Sequence, residues 1–547
     1  MEKMHDIYRK EFKTLADKTA MIRYKSQKQL TIEEFRTPFE MKLSRENRWV
    51  KLAAVLPWDE LAKIYHRALS IEHGRPSVEA RRVIGALIIK HKEVMSDEKT
   101  IEEIQENVYQ QYFLGLTQYQ YEPVFEASLF VTIRKRIGVE SFDAMVGELI
   151  RVANEPSGKA QKKTPVPPPS SGLQEQSITV QAATVSPSEV SGMSNSDAPT
   201  SAELQTNAGM LIVDMTVAPA DIAYPTDMEL LNTSREKTEA LIDVIYKKSL
   251  DIEDSRSGIK PRTYRQKARK DYLVFAKKRK KSHKFIRKSL RKQLGYVGRN
   301  IKTIHTLLDG VGQALSYNEM RMLWIIQELY RQQKEMYEMK THRLSDRIVS
   351  VAQPHVRPIV RGKASAPVEF GAQISAGIMN GYRRIERIVW DPYNESSDLT
   401  GQLERYKETY GHYPEIVLAD KKYGTKENRA LMRQHGIRYG GTPLGRPRKD
   451  GVRHDGLLPK EVVNKRNHVE GTFGTAKRSY GLDCIKARRS DTSSSWIAAI
   501  FFVMNLPLFL KSVGSSFLSL FEKALTRSFG RSLRPLLPLD LSLFYVS

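Results

Sequence analysis

Hydrophobic positions recur every three or four residues through the first part of the chain, and this spacing predicts helices. Three such stretches lie between residues 45 and 155: ENRWVKLAAVLPWDELAKIYHRAL, SVEARRVIGALIIKHKEVM and TIEEIQENVYQQYFLGL. Thr100 and Glu103 have the spacing of a capping box, which predicts the start of the third helix. We therefore expect an all-α N-terminal domain over residues 1–155, either as a compact bundle or as a helix-turn-helix arrangement that binds DNA ends.

The pattern is lost over residues 156–207, which contain KKTPVPPPSS, many Ser, Thr and Gln residues and no aromatic residue. Such a segment cannot bury enough apolar surface to offset its conformational entropy. The sequence predicts a disordered linker here.

Short apolar runs typical of strands follow. GMLIVDMTVAP and PEIVLADKKYG, Gly209–Pro219 and Pro414–Gly424, each carry an apolar run that ends in an aspartate. Between them, RIVSVAQPHVRPIVRG and APVEFGAQISAGIMNGYRRIERIVWD have strand composition, and SSDLTGQLERYKETYGHYP has helical spacing. The predicted order is three strands, a helix, a strand and a final helix. This order indicates an α/β catalytic core with a mixed sheet over residues 208–490.

A basic helical insertion, residues 228–347 approximately, interrupts this core. The stretch from Lys260 to Lys302 holds 18 Lys or Arg residues and one acid, in a chain whose formal net charge is +25. Such a stretch predicts contact with a polyanion, and double-stranded DNA is favoured over an anionic membrane surface or a merely solvated helix. The predicted phosphate contacts are the side chains of Lys277, Lys278, Arg279 and Lys280. Arg361 and Lys363, in a turn between strands, either contact DNA or are solvated.

The most apolar stretch, WIAAIFFVMNLPLFLK from Trp496 to Lys511, belongs to a C-terminal helical segment, residues 491–547. It is shorter than the roughly 20 residues that cross a bilayer. We expect a buried helix, with a membrane span as the alternative. The chain has one cysteine, Cys484, and no secretory signal is visible at its start, so a reducing, cytoplasmic location is expected.

Candidate chemistry comes from the two aspartates that end apolar runs. If their strands are parallel neighbours, Asp214 and Asp420 meet at one edge of the sheet, and the last helix brings Glu470 to them. Three neighbouring carboxylates repel one another unless a cation is present. Oxygen ligands without His or Cys favour Mg²⁺ or Mn²⁺, and two such ions would serve phosphoryl transfer.

The last helix also carries cations on the face of its glutamate. Arg466, Glu470 and Lys477 are spaced so that their side chains share one face of a helix. An arginine there can clamp a phosphate with two hydrogen bonds, and a lysine adds a point charge. The alternatives are ordinary: aspartates at strand ends often cap helices, and a charged helical face is often only solvated.

The segments VDMTVAP, LADKKYGTKENR and RNHVEGTFGTAKRSYGL resemble the three acidic motifs of DDE transposases of bacterial insertion sequences. The resemblance is to the IS-four and IS-five superfamily, whose helix signature has the same Arg, Glu and Lys spacing. It implies a ribonuclease H-like fold with Asp214, Asp420 and Glu470 as the catalytic, metal-binding triad. It also implies that Arg466 and Lys477 contact phosphate.

The implied function is binding of terminal inverted repeats, metal-dependent strand cleavage and strand transfer into target DNA. The resemblance further implies a homodimer on paired ends, at the bacterial nucleoid in the cytoplasm. A ribonuclease H-like nuclease without strand transfer, or an inactive DNA-binding protein, would be the alternatives. Two features depart from the family pattern: Val463 stands where a tyrosine is frequent, and the insertion lies between the first two strands.

Overall fold

The computed structural model describes residues 31, 34–37, 42–69, 77–154, 207–250, 260–312, 314–360, 368–441 and 458–529. The predicted linker lies outside these residues except for Asn207. The turn with Arg361 and Lys363 also lies outside them, as does the end of the chain from residue 530.

The first described part of the chain is helical, as its spacing predicts. The helices are α1 (Arg48–Val55), α2 (Trp58–Arg67), α3 (Ala80–Lys92), α4 (Asp97–Glu106), α5 (Val108–Phe113), α6 (Leu129–Arg136) and α7 (Val139–Asn154). The predicted capping box at Thr100 is wrong. Ser96 caps α4 by accepting a hydrogen bond from the Lys99 amide, and the Thr100 hydroxyl, inside the helix, donates to the Ser96 carbonyl.

The described residues of the insertion form four helices: α8 (Asp227–Leu250), α9 (Arg265–Lys277), α10 (His283–Val311) and α11 (Tyr317–Met339). Helices α8, α10 and α11 share two small apolar cores. The two ends of the insertion meet, because Arg347 donates a hydrogen bond to Asp227 at 2.8 Å. The insertion therefore closes on itself and returns the chain to the sheet.

The sheet has six strands: β1 (Met210–Pro219), β2 (Arg357–Val360), β3 (Val368–Met379), β4 (Tyr382–Val389), β5 (Ile416–Ala419) and β6 (Arg438–Tyr439). Strand β1 is central, antiparallel to β3 and parallel to β5, and β6 extends the sheet parallel to β5. The other edge of β3 pairs antiparallel with both β2 and β4. The predicted mixed sheet is thus present.

The remaining helices are α12 (Leu399–Tyr410), α13 (Lys426–Gln434), α14 (Lys460–Asn464), α15 (Asn467–Tyr480) and α16 (Ser490–Phe529). The predicted third strand is in fact the hairpin of β3 and β4. Its turn is Asn380–Gly381, and both residues have positive φ, which is typical of a two-residue hairpin loop. Helix α13 and strand β6, which follow Asp420, have no counterpart in the predicted order.

Both faces of the sheet are covered. Alternation along β1 places Ile212 in the larger apolar core, and Leu211 and Val213 in a second core on the opposite face. The larger core also contains the buried side chains of α1 to α7 and of α16. The first helices therefore pack on the same apolar core as the sheet.

Helix α16 is the apolar C-terminal helix. Within the described residues, one helical segment, Ser490–Val513, is long and apolar enough to cross a membrane. Its side chains from Ile497 to Leu506 are buried in the protein, as predicted for a core helix. Asn505, fully buried there, exchanges two 2.8 Å hydrogen bonds with the backbone of Arg383 and so ties α16 to β4.

Candidate active site

The two aspartates lie on neighbouring parallel strands. Strand β5 pairs with β1 up to the register Val213 to Ala419, so Asp214 and Asp420 are the next residues along the two chains. Asp420 directly follows the end of β5, as predicted. Asp214 does not end its strand, because β1 continues to Pro219 along β3. It lies where β1 loses its β5 neighbour.

Strand alternation places both aspartates on the face covered by α15. Ile212 and Leu418, two residues before each aspartate, lie in the same apolar core. Val469, Phe473 and Ala476 of α15 belong to that core. Because side chains two residues apart share a face of a strand, the sheet and α15 converge on one site.

Arg466 joins two of the predicted site residues. It occupies the N-cap position of α15, and its guanidinium lies 3.7 Å from Asp420 Oδ1 and 3.3 Å from Glu470 Oε1. The contact with Glu470 follows from their spacing of four residues on one helical face, as the sequence indicated. The guanidinium thus supplies positive charge between the two carboxylates.

Asp214 is partly buried, and its Oδ1 accepts a 2.8 Å hydrogen bond from the Met215 amide. Burial raises the pKa of Asp214, and the charges of Asp420 and Glu395 raise it further, while the Met215 amide and Arg466 lower it. Desolvation has the largest effect, so the pKa of Asp214 is raised overall. The pKa shift also shows that Asp214 shares its electrostatic environment with Asp420 and Arg466.

Asp420 begins a tight turn. Its Oδ1 accepts a 2.7 Å hydrogen bond from the Lys421 amide and so caps the single 3₁₀ turn Lys421–Tyr423. Tyr423 is fully buried beside it. Burial raises the pKa of Tyr423, and the charges of Glu395 and Asp214 add to the effect. The Tyr423 hydroxyl therefore stays protonated, and the side chain forms one wall of the site.

Sequence reasoning missed Glu395. This glutamate opens the 3₁₀ turn Glu395–Asp398 and is 4% exposed, with Oε1 at 3.1 Å from Lys422 Nζ. Its other oxygen, Oε2, is buried without a hydrogen-bond partner. Nothing in the local pattern distinguishes it from a solvated acid before a helix. Only the packing of its turn against the Asp420 turn reveals it, and Asn428 fixes that packing by donating to Ser396 and Tyr423.

The donor chemistry of the site fits a hard cation, since it offers carboxylate oxygens and no sulfur or imidazole. Asp214 and Asp420 are adjacent, whereas Glu470 is 60% exposed and bound by Arg466. Among the residues that the structure describes, no three His, Cys, Asp or Glu side chains are grouped closely enough to hold a metal ion. A triad that binds metal therefore requires Glu470 to leave Arg466.

Of the remaining predicted phosphate contacts, Lys477 shares a helix with Glu470, and the basic run lies on other elements. Lys477 lies in α15, seven residues beyond Glu470. The basic run forms the exposed turn between α9 and α10. Phe275 and Phe285 stack across this turn with ring centroids 6.0 Å apart, and Lys278 lies over the Phe285 ring at 4.4 Å. These contacts give the turn a defined shape, and its cationic residues are exposed.

Two segments of the chain match known families. Residues 417–507, which contain Asp420 and α15, match the transposase DDE domain. Residues 37–136 match a second transposase domain (DUF772). The resemblance to DDE transposases of insertion sequences is confirmed. The first match does not include Asp214, whose assignment depends on the strand pairing described above.

The chain is also similar to one curated protein. The uncharacterized protein ORF8 in the nfe locus of Rhizobium meliloti is 31% identical over 122 residues. The matched part covers 22% of this chain and 57% of that protein, so the chain spans little more than half of its relative. No solved structure matches the chain.

Proposed function

We propose that this protein is the transposase of an insertion sequence. In this proposal it binds the terminal inverted repeats of its element, cleaves a DNA strand at each end and joins the freed 3′ hydroxyl to target DNA. The observation that carries the proposal is the meeting of Asp214, Asp420 and the helix of Glu470 and Arg466. Two transposase matches along the same chain support it.

Asp214, Asp420 and Glu470 would hold two divalent ions, either Mg²⁺ or Mn²⁺. When bound, such ions activate the attacking oxygen and stabilise the leaving oxygen of a phosphodiester. The half-buried position of Asp214 supports this role, because its carboxylate is partly desolvated before any ligand arrives. The central place of β1, between an antiparallel and a parallel neighbour, supports a ribonuclease H-like core.

Arg466 has the further role of holding DNA. Its guanidinium lies between Asp420 and Glu470, and a DNA phosphate at this edge of the sheet offers it a bidentate partner. Transfer of Arg466 to the phosphate frees Glu470 for the carboxylate site. Lys477, on the same helix, adds positive charge. Val463, at the position where a tyrosine is frequent in the family, packs on the larger core and offers no hydroxyl to DNA.

The N-terminal helices recognise the DNA ends, a role that the transposase match over residues 37–136 supports. The basic turn at Lys277, Lys278, Arg279 and Lys280 binds phosphates along the flanking DNA, and Arg361 and Lys363 add to this contact. The protein acts as a homodimer on two ends, in the bacterial cytoplasm at the nucleoid.

The test uses a plasmid that carries the inverted repeats flanking the gene. Wild-type protein should nick and join these ends with Mg²⁺ and bind them without cleavage when Ca²⁺ replaces it. Asp214→Ala, Asp420→Ala and Glu470→Ala should each lose cleavage and keep end binding. Asp391→Ala, which removes an exposed acid beside Arg357, serves as the control and should cleave normally. Retained cleavage in all three site variants contradicts the proposal, and cleavage without joining indicates a nuclease.

A further inference from the structure

The insertion contains a cavity that the proposed chemistry does not use. It lies between the start of α10 and the end of α11, beside the start of α8, and has a volume of about 210 Å³. This is smaller than the roughly 300–1,000 Å³ of pockets that take drug-sized ligands. The cavity therefore suits a single ring system rather than a larger molecule.

The floor of the cavity is apolar. Leu231, Leu294 and Met336 are buried there, and Leu290 and Ile286 line it from α10. Such a floor favours a flat, weakly polar group over a free phosphate or a sugar, because those groups would lose hydrogen bonds to water on entry.

The rim of the cavity is cationic. Arg287 and Lys340 supply the positive charge, His283 lines the rim with an imidazole, and the carboxylate on the rim, Asp227, is already paired with Arg347 at 2.8 Å. The Arg287 guanidinium lies over the Tyr337 ring, 4.3 Å from its centroid, so a planar cation stacked on an aromatic ring forms part of the wall. These are the two kinds of surface on which nucleobases stack.

The cavity also opens beside the basic turn. Its lining begins at His283, the first residue of α10, and the exposed run Lys277, Lys278, Arg279 and Lys280 precedes that helix directly. DNA whose phosphates contact this turn would pass the mouth of the cavity. An apolar floor with a cationic rim complements one base and its phosphate.

We propose that this cavity receives one unpaired base of the DNA that the basic turn binds. The base enters between Leu290 and Met336 and stacks at the wall formed by Tyr337 and Arg287, while its flanking phosphate meets His283 and Lys340. Removing a base from the duplex costs least when it is already unpaired. The cavity therefore selects DNA with a bulged or unpaired nucleotide. The inference rests on the proposed DNA binding and goes beyond it.

The experiment compares affinity for two labelled duplexes by fluorescence anisotropy, with Ca²⁺ to prevent cleavage. The duplexes have the same sequence, and one carries a single bulged base. Wild-type protein should prefer the bulged duplex by about tenfold, the low end of what stacking one base contributes. Leu290→Trp, which fills the cavity, should lower this ratio to about one and keep affinity for the paired duplex. Arg287→Gln should lower the ratio part of the way.

The matched control is Asn318→Trp, which adds the same ring at an exposed position near the start of α11 and should keep the wild-type ratio. Thermal unfolding checks that each variant folds, and Arg287→Gln carries the test if Leu290→Trp does not. Equal affinity of the wild type for both duplexes, or a ratio unchanged by both cavity variants, overturns the inference alone. Failure of the wild type to bind either duplex overturns the proposed DNA binding as well.

Discussion

Asp214 illustrates at the scale of one residue how a site can oppose stability. Its folded pKa lies above the ordinary value because burial penalises the charged form. The stability that it contributes is therefore present below its unfolded pKa and is lost as the pH rises through its folded pKa. At neutral pH the ionised side chain lowers the free energy of unfolding.

Asp214→Asn should accordingly raise the melting temperature at pH 7. The gain should shrink as the pH falls through the raised folded pKa and should be absent below about 4, the ordinary pKa of aspartate. Thermal unfolding across this pH range measures the effect. Asp491→Asn is the control of opposite sign, because Arg489 lowers the pKa of Asp491, so that variant should lose stability at pH 7. A melting temperature that falls at pH 7 in Asp214→Asn would contradict the desolvation argument.

Gly471 adjoins Glu470 in the middle of a helix, where glycine is unfavourable. A Cβ at this position would meet nothing within 4 Å, so the sheet does not require glycine here. Gly471→Ala should stabilise the protein by about 1 kcal/mol, measured by urea unfolding. Gly371→Ala is the control, since its Cβ would lie 2.0 Å from the Ala218 carbonyl oxygen and must destabilise the sheet. If Gly471→Ala weakens DNA binding as well, close approach of the DNA backbone explains the glycine.

At the scale of elements, the turn between α9 and α10 concentrates positive charge, because it contains a run of consecutive Lys and Arg residues. Phe275 and Phe285 stack across it, Lys278 lies over the Phe285 ring, and its four cationic residues are exposed. Replacing Lys277, Lys278, Arg279 and Lys280 by Gln should weaken DNA binding at low salt. The slope of log K against log salt should become shallower by about 0.9 for each DNA phosphate that the variant no longer neutralises.

Binding titrations at several salt concentrations give this slope. Lys260→Gln is the matched control, because the Lys260 ammonium lies 2.9 Å from Asp243 and is already neutralised locally. An unchanged slope in the fourfold variant would show that the basic turn is only solvated. The carboxylate site would be unaffected by that result, because it lies on other elements.

Elements also show where the sequence pattern was sufficient. Helices α1 to α5 overlap the three stretches whose apolar spacing predicts helix. The two apolar runs that reach an aspartate predict β1 and β5, but their parallel pairing was only assumed and is shown by the structure. The Asn-Gly pair at the hairpin turn, Asn380–Gly381, is a strong local signal for a two-residue loop. This turn was not among the sequence predictions. Strand β6, two residues long, has no pattern of its own and exists because it pairs with β5.

On the scale of the whole molecule, the N-terminal helices and the sheet are joined by charge as well as by apolar packing. Asp143 of α7 accepts hydrogen bonds from Arg384 of β4, at 2.9 Å, and from Arg405 of α12, at 3.0 Å. Asp143 is 17% exposed and is the acidic partner of the mostly buried Arg384, whereas Arg405 also pairs with Glu386 at 3.2 Å.

Asp143→Ala should therefore cost about 3–5 kcal/mol, the usual effect of removing one partner of a buried ion pair. Urea unfolding measures this loss. Glu148→Ala is the control on the same helix, because its partner Arg151 is 53% exposed and the pair contributes little. A loss below about 1 kcal/mol in Asp143→Ala would indicate that the helices and the sheet are coupled by apolar packing alone.

The sequence by itself predicted most of the helical and strand segments and the basic insertion, and it indicated Asp214, Asp420, Arg466 and Glu470 as candidate site residues, because periodicity, charge and motif spacing are local properties of the chain. Tertiary structure decided what those patterns do not encode. It placed Asp214 inside a strand and brought Glu395 beside Tyr423 and Lys422. It also gave Asn505, in the middle of an apolar helix, its hydrogen bonds to the backbone of β4. Burial and electrostatic coupling arise only when distant segments pack, so no local pattern could predict them.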